Sequence, residues 1–397
     1  MKNQYKGTIY ACFVGYVVQA IINNFAPLLF LTFRDTYGVP LSKITFLVTF
    51  NFLLQLTVDL IAAVVIDKIG YRVAAVAAHV FAAIGLVSMA FLPGITADPF
   101  TGLMISVVIY ALGGGLLEVL ISPIVEACPT DNKEAAMSLL HSFYCWGHVG
   151  VVLLSTLFFV TVGIERWRLL AILWAVVPLV NGIVFLVVPL AKLLSDEEKG
   201  MSIKELVSGK AFWIFVLLMF CAGSCEQAVS QWASAFAEKG LNISKTMGDL
   251  AGPMLFAICM GTARVLYSKI GEKIHLRAAM VFCGLLCLGS YLLISLSPLP
   301  LFGLIGCGIC GFSVGLLWPG TFSLASAGLP RGGTAMFALL ALAGDLGCSM
   351  GPTLVGRVSA AAGDDLRKGI LVAVVLPMML LTALWMNKRV GRERPER

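Results

Sequence analysis

Charge is what this chain has least of. Only 13% of its 397 residues are Asp, Glu, Lys or Arg, about half of the roughly 25% usual in soluble globular proteins. That scarcity excludes a soluble enzyme, a disordered chain and a nucleic-acid binder. Histidine occurs four times. Enzyme motifs are missing too: there is no His-Glu-x-x-His and no Gly-x-Ser-x-Gly. The glycine runs Gly113–Gly115 and Gly303–Gly315 are followed by no Gly-Lys-Ser/Thr, so they suit close helix packing rather than phosphate binding. No polar stretch is long enough for a separate soluble domain. No enzymatic activity, cofactor or metal ion is therefore expected.

Apolar residues, by contrast, make up 59% of the chain, and mean hydropathy is +0.93. A membrane helix needs about 20 apolar residues. Twelve such segments lie near 8–33, 41–66, 73–93, 99–127, 134–162, 166–191, 210–237, 246–269, 277–297, 299–327, 333–361 and 367–387. In lipid each must satisfy its own backbone hydrogen bonds, so each is predicted to be a helix. Alternating polarity, the mark of a β-barrel, is absent. The first segment is too long for a signal-peptide core and has no small-residue cleavage site, so it is expected to remain as a helix. The 11 cysteines fall mostly inside these segments, for example Cys12, Cys221, Cys259, Cys283 and Cys287. They read as small core residues. Cys307 and Cys310 form a Cys-x-x-Cys, but in a Gly-rich apolar stretch without a βαβ context.

The one sizeable charged stretch runs from Ser195 to Lys210. It predicts a six-helix bundle over 1–194, a cytoplasmic linker over 195–209, and a second bundle with a short basic tail over 210–397. Met201, Ile203 and Leu206 in the linker could lay a short amphipathic piece on the membrane surface. With both termini inside, 18 Lys and Arg face the cytoplasm and 8 face outward. The positive-inside rule favours that orientation, in the cell (inner) membrane.

The two halves echo each other. Gly15-Tyr-Val-Val-Gln19-Ala20 recurs as Gly223-Ser-Cys-Glu-Gln227-Ala228, Gly115-Leu-Leu-Glu118 as Gly315-Leu-Leu-Trp318, and Lys68-Ile-Gly70 as Lys269-Ile-Gly271. Matches in corresponding helices point to two parallel six-helix repeats.

Asp67-Lys-Ile-Gly70-Tyr-Arg72 follows the second segment. It resembles the loop signature of the major facilitator superfamily, Gly-x-x-x-Asp-Arg/Lys-x-Gly-Arg/Lys-Arg/Lys, departing from it at Ala63 and Tyr71. The resemblance implies an all-α membrane protein, with twelve transmembrane helices in two pseudo-symmetric bundles. Gly113-Gly-Gly115-Leu-Leu117-Glu118-Val-Leu-Ile-Ser122-Pro123 is similar to the Gly-x-Gly-x-Leu-Glu-x-x-x-Asn-Pro of the fucose permease-like sugar:proton symporters. Asn23-Asn24, the helix around His141 and Phe143, and Glu226 followed by Trp232 extend the likeness. Glu118 falls on that family's proton-coupling glutamate. The family's coupling Asp in helix 1 falls on Pro27 here.

Charged and amide side chains inside a membrane need a partner, a wet cavity or a function. Asn51, Gln55 and Asp59 stand four apart, as do Glu118, Ser122 and Glu126, so each trio shares one helix face. Glu118, Asp345 and Glu226 are the candidates for proton coupling. Candidates for substrate contact are Asn23, Asn51, Gln55, His141, Tyr144, Glu226, Gln227, Gln231, Trp232 and Trp318. Asp59, Asp67, Arg72, Glu126 and Arg264 are the candidates for a gating or structural charge cluster. A wet chamber shared by the two bundles would explain these stripes together. The expected activity is secondary transport of a small polar solute such as a sugar, coupled to H+, by a monomer in the lipid bilayer. A drug:proton antiporter and an organic-anion carrier remain as alternatives.

Overall fold

The computed structural model describes residues 3–39, 41–193, 200–233, 245–297, 299–363 and 365–392. The start of the linker, the end of the seventh apolar segment and the last tail residues lie outside these. The described residues form sixteen α-helices and no strand. In the first half these are α1 (Lys6–Phe25), α2 (Phe30–Tyr37), α3 (Leu41–Ile69), α4 (Tyr71–Ile95), α5 (Pro99–Ala127), α6 (Lys133–Val162) and α7 (Trp167–Val187). A short α8 (Ile203–Ser208) follows. Then come α9 (Lys210–Ser230), α10 (Lys245–Ile270), α11 (Leu276–Leu296), α12 (Pro300–Val314), α13 (Leu317–Gly328), α14 (Gly333–Ala361), α15 (Leu366–Ala373) and α16 (Val375–Arg392).

Among the described residues, ten spans are long and apolar enough to cross a membrane. Helices α3 and α10, which carry Asp59 and Arg264, complete the twelve of the fold. Three of the twelve apolar segments are not single α-helices, and proline explains each break. A proline has no N–H and clashes with the carbonyl four residues before it. Pro27 turns Ala26–Leu29 into a 3-10 segment between α1 and α2. Pro319 lies just beyond the break between α12 and α13, and Pro377 just beyond that between α15 and α16.

The chain groups into two compact units. One is Met1–Asp131 with Phe143–Ser195; the other is Asn132–Ser142 with Asp196–Arg397. Within a bilayer the hydrophobic effect inserts helices but does not press them together, so close backbone contact must come from small residues. In the first unit α4 packs on α5 and α7. A Cβ at Gly85 would strike the Tyr110 backbone, and one at Gly113 the Ala78 carbonyl. In the second unit α9 packs on α14 and α10 on α12. Gly347 lies against the Phe220 carbonyl, Gly351 against that of Ser224, and Gly311 against that of Phe256.

Polar locks fix the helix ends. Gly70 takes φ +84° after α3, a left-handed conformation that glycine tolerates. Two residues on, Arg72 donates to the carbonyls of Phe185, Leu186 and Val188 at 2.6–2.9 Å. These carbonyls end α7 and have no helical donor of their own, and the guanidinium also meets the negative end of the helix dipole. In the second unit Arg277, at the start of α11, donates to the side-chain Oδ1 of Asn387 on α16 at 2.6 Å. Asp98 caps α5, accepting from the Phe100 amide and the Thr101 hydroxyl. The Thr101 bond leads in holding its carboxyl below the usual carboxylate range. Ser202 and Glu205 form a reciprocal capping box on α8. Of the three apolar residues read as an amphipathic piece, Leu206 is buried in the second unit, Met201 is half-buried and Ile203 is exposed.

Gly347→Ala should destabilise the protein by about 1–3 kcal/mol, because the new methyl group meets rigid backbone. Gly150→Ala, with open space around its Cβ position, should be neutral. Thermal melts of the two variants in detergent compare them directly.

Candidate polar sites

Each unit carries a polar cluster inside its helices that gathers candidate residues. In the first unit, α1 contributes Gln19 and Asn23, one turn apart on the same face. Gln19 is 3% exposed and donates from Nε2 to Glu118 Oε2 of α5 at 2.8 Å. One turn further along α5, Ser122 Oγ lies 2.9 Å from the Tyr16 hydroxyl of α1. Asn23 Oδ1 accepts two bonds from α3, from Gln55 Nε2 at 3.0 Å and Asn51 Nδ2 at 3.3 Å. Asn51 and Gln55 are both buried. Gly114 and Gly115 bring α5 against Gln55 and Val58, and this holds the α3 amides beside α1. Asp59 and Glu126 are buried deeper along the same two helices, whereas Asp67 is exposed.

The second cluster centres on Arg264 of α10, 3% exposed. Its Nε donates to the Gly315 carbonyl at 2.8 Å. That carbonyl stands four residues before Pro319, so it has no helical N–H to accept. Arg264 Nη1 donates to the His141 carbonyl at 2.8 Å, and Nη2 lies 3.6 Å from Glu226 Oε2 of α9. Ser138 Oγ returns a bond to the Arg264 carbonyl at 2.8 Å, and Tyr267 donates to Glu134 at 3.0 Å. Arg264 was read from sequence as a helix-end charge beside Asp59, Asp67, Arg72 and Glu126. The structure ties it to Glu226, Gly315 and His141.

The remaining candidates of the second unit spread around this cluster. The His141 ring lies 5.9 Å from Phe322, and Trp318 meets Phe322 edge-on at 6.3 Å. Trp318 is packed over Gly344, where any Cβ would strike its ring. Gln227 Oε1 accepts from Ser230 and Gln231, and Trp232 lies against Gly356 beyond the end of α9. Asp345 is buried on α14. Tyr144, half-buried on α6, falls in the first unit. The sequence reading used Gln19 only as a repeat marker and passed over Tyr16. The four-residue spacing from Gln19 to Asn23 was the available signal.

A family model described as the Major Facilitator Superfamily matches residues 11–352. The chain belongs to this superfamily. This facilitator is 22% identical over 294 residues to the membrane protein MosC of Rhizobium meliloti, covering 73% of this chain and 70% of MosC. Among solved structures it is similar to the E. coli fucose:proton symporter FucP, at 14% identity and TM-score 0.81, covering 97% of this chain and 99% of that one. It is also similar to the proton:xylose symporter XylE, at 12% identity and TM-score 0.81, covering 96% and 95%. At such identities the likeness establishes the fold alone, and membership of the superfamily makes the chain a multi-pass membrane transporter.

Glu226→Gln in this facilitator strands the buried guanidinium and should lower stability by about 3–5 kcal/mol. Adding Arg264→Met should recover only part of this. The Gly315 carbonyl then loses its donor, which retains a deficit of about 1–3 kcal/mol. A double-mutant cycle on detergent melts reads both terms. Full recovery in the double variant would show that the carbonyl contact contributes nothing.

Proposed function

We propose that the chain is a secondary active transporter. It moves a small polar solute, a sugar or related compound, across the cytoplasmic membrane by alternating access. A proton is the coupling ion, the protein acts as a monomer, and both termini face the cytoplasm. The observation that carries this reading is Glu118: a carboxylate in the middle of an apolar helix, held by Gln19 at 2.8 Å. Protonating a sheltered carboxylate removes the energy needed to keep its charge out of water, so the loaded protein can rearrange more easily. The amides Asn23, Asn51 and Gln55 supply neutral hydrogen-bonding groups that suit hydroxyls. The names of FucP and XylE, both described as proton symporters of sugars, agree in kind.

Two alternatives fit less well. A drug antiporter would favour a more apolar lining than this amide cluster. An organic-anion carrier would use a cationic site, and Arg264 is the one buried arginine among the described residues. Its charge already faces Glu226, and two of its donors are taken by carbonyls.

In proteoliposomes with an imposed proton gradient, Glu118→Gln should abolish accumulation of the solute while leaving counterflow exchange partly intact. Accumulation at the wild-type level in the variant would remove Glu118 from the coupling mechanism.

A further inference from the structure

Gln19 is buried at a cost to stability. The residue is 3% exposed, and its Oε1 has no hydrogen-bond partner. An acceptor buried in this way gives up its bonds to water and gains none in return. Only the other end of the amide is engaged: Nε2 donates to Glu118 Oε2 at 2.8 Å. A buried polar atom left unsatisfied needs a reason, and packing does not supply one. The seam between α1 and α5 closes without Gln19. Gly15 lets the two helices approach, because a Cβ there would lie 2.8 Å from Ile121 Cδ1. Next to it, the Tyr16 hydroxyl meets Ser122 Oγ at 2.9 Å. An apolar side chain at position 19 would occupy similar space and leave no orphaned oxygen.

What an apolar side chain lacks is the donor. A bond to an ionised acceptor is roughly twice as strong as one to a neutral acceptor. An N–H facing a carboxyl group therefore favours its charged form over its protonated one. A carboxyl group deep in an apolar helix otherwise keeps its proton, and a carrier that cannot release its proton stalls. The other buried ionisable groups on α5 and the helices packed against it are Tyr110 and Glu126 on α5, Tyr16 on α1, Asp59 on α3 and His79 on α4. Asp59 and Glu126, when ionised, act against a further negative charge. His79 is engaged by the Ala75 carbonyl and by Asn181. The charges at the ends of these helices, Lys6, Lys43, Asp67, Lys68 and Arg72, are not buried. We propose that Gln19 is a positioning residue for proton release, its N–H stabilising Glu118 in the ionised form. The inference rests on the proton-carrier reading of Glu118 and adds the group that sets when the proton leaves.

Infrared titration of the purified full chain in detergent follows the carboxyl C=O stretch with pH, and Glu118→Gln identifies the band that belongs to Glu118. Gln19→Met keeps the side-chain length and removes the donor. In that variant the Glu118 band should persist to a pH about one unit higher than in the wild type, the tenfold change that one buried bond to a charged group supplies. Gln19→Leu takes its place should the methionine variant fold poorly. Gly15→Ala disturbs the same seam through Ile121 and should lower the melting temperature without moving the midpoint. An unmoved midpoint in Gln19→Met overturns the assignment. An equal shift in Gly15→Ala also overturns it, because the effect is then one of packing. A midpoint that moves in Gln19→Met alone, combined with wild-type accumulation of D-xylose in Glu118→Gln proteoliposomes, upholds the control of Gln19 over the carboxyl group and overturns the proton-carrier reading. A Glu118 band absent at every pH overturns both.

Discussion

A carbonyl oxygen that loses its helical donor inside a bilayer has no water to turn to, and much of this structure follows from that constraint. Pro319 removes the donor of Gly315. Arg264 supplies one from the neighbouring helix α10. A guanidinium brought that deep needs a counter-charge, and Glu226 stands 3.6 Å away. One proline in α13 therefore accounts for a buried arginine, a half-buried glutamate and the place where α12 gives way to α13. The same requirement explains Arg72 on the last carbonyls of α7. Isolated charge in lipid is intolerable; charge that completes a neighbour's hydrogen bonding becomes part of the architecture.

Local patterns were legible and non-local ones were not. Each apolar segment has to be a helix for reasons confined to its own backbone, so twelve spans could be read before any contact was known. The glycine echo was also legible, because packing imposes it twice. Gly115 faces Val58 of α3, and Gly315 faces Met260 and Ala263 of α10. The break after Val314 was missed because proline acts on the turn before the one in which it is written, and that at Ala26–Leu29 because Pro27 was weighed only as the residue in place of the family's Asp. The role of Arg264 was hidden for a different reason. Its partners lie at 141, 226 and 315, on three other helices, and no spacing along α10 encodes them.

The two repeats diverge where chemistry is needed. Gln19 reaches Glu118 across α1 and α5. The residues that echo these two are Gln227 and Trp318, and they do not meet in this way: Gln227 bonds within α9 and the turn that follows it, and Trp318 packs on Gly344 and Phe322. A shared backbone plan thus holds a polar contact in one unit and an aromatic contact in the other. Packing glycines are retained in both because both pairs of helices must approach closely. Side chains directed into the polar clusters face no such requirement and are free to specialise.

That divergence separates the candidate acids. Neutralising Glu226 would leave the Arg264 guanidinium buried without its counter-charge, which is the expensive half of a broken ion pair. Glu226 is therefore suited to hold α9 and α10 together as the counter-charge of Arg264. Glu118 is held differently. A protonated carboxyl keeps one carbonyl oxygen free to accept, so the bond from Gln19 survives when the proton arrives. Glu118 can change its charge without losing that contact; Glu226 cannot change its own without stranding another residue. On these grounds we propose Glu118, in the unit whose amides present hydroxyl-sized polarity, as the proton carrier, and Glu226 as the fixed partner of Arg264.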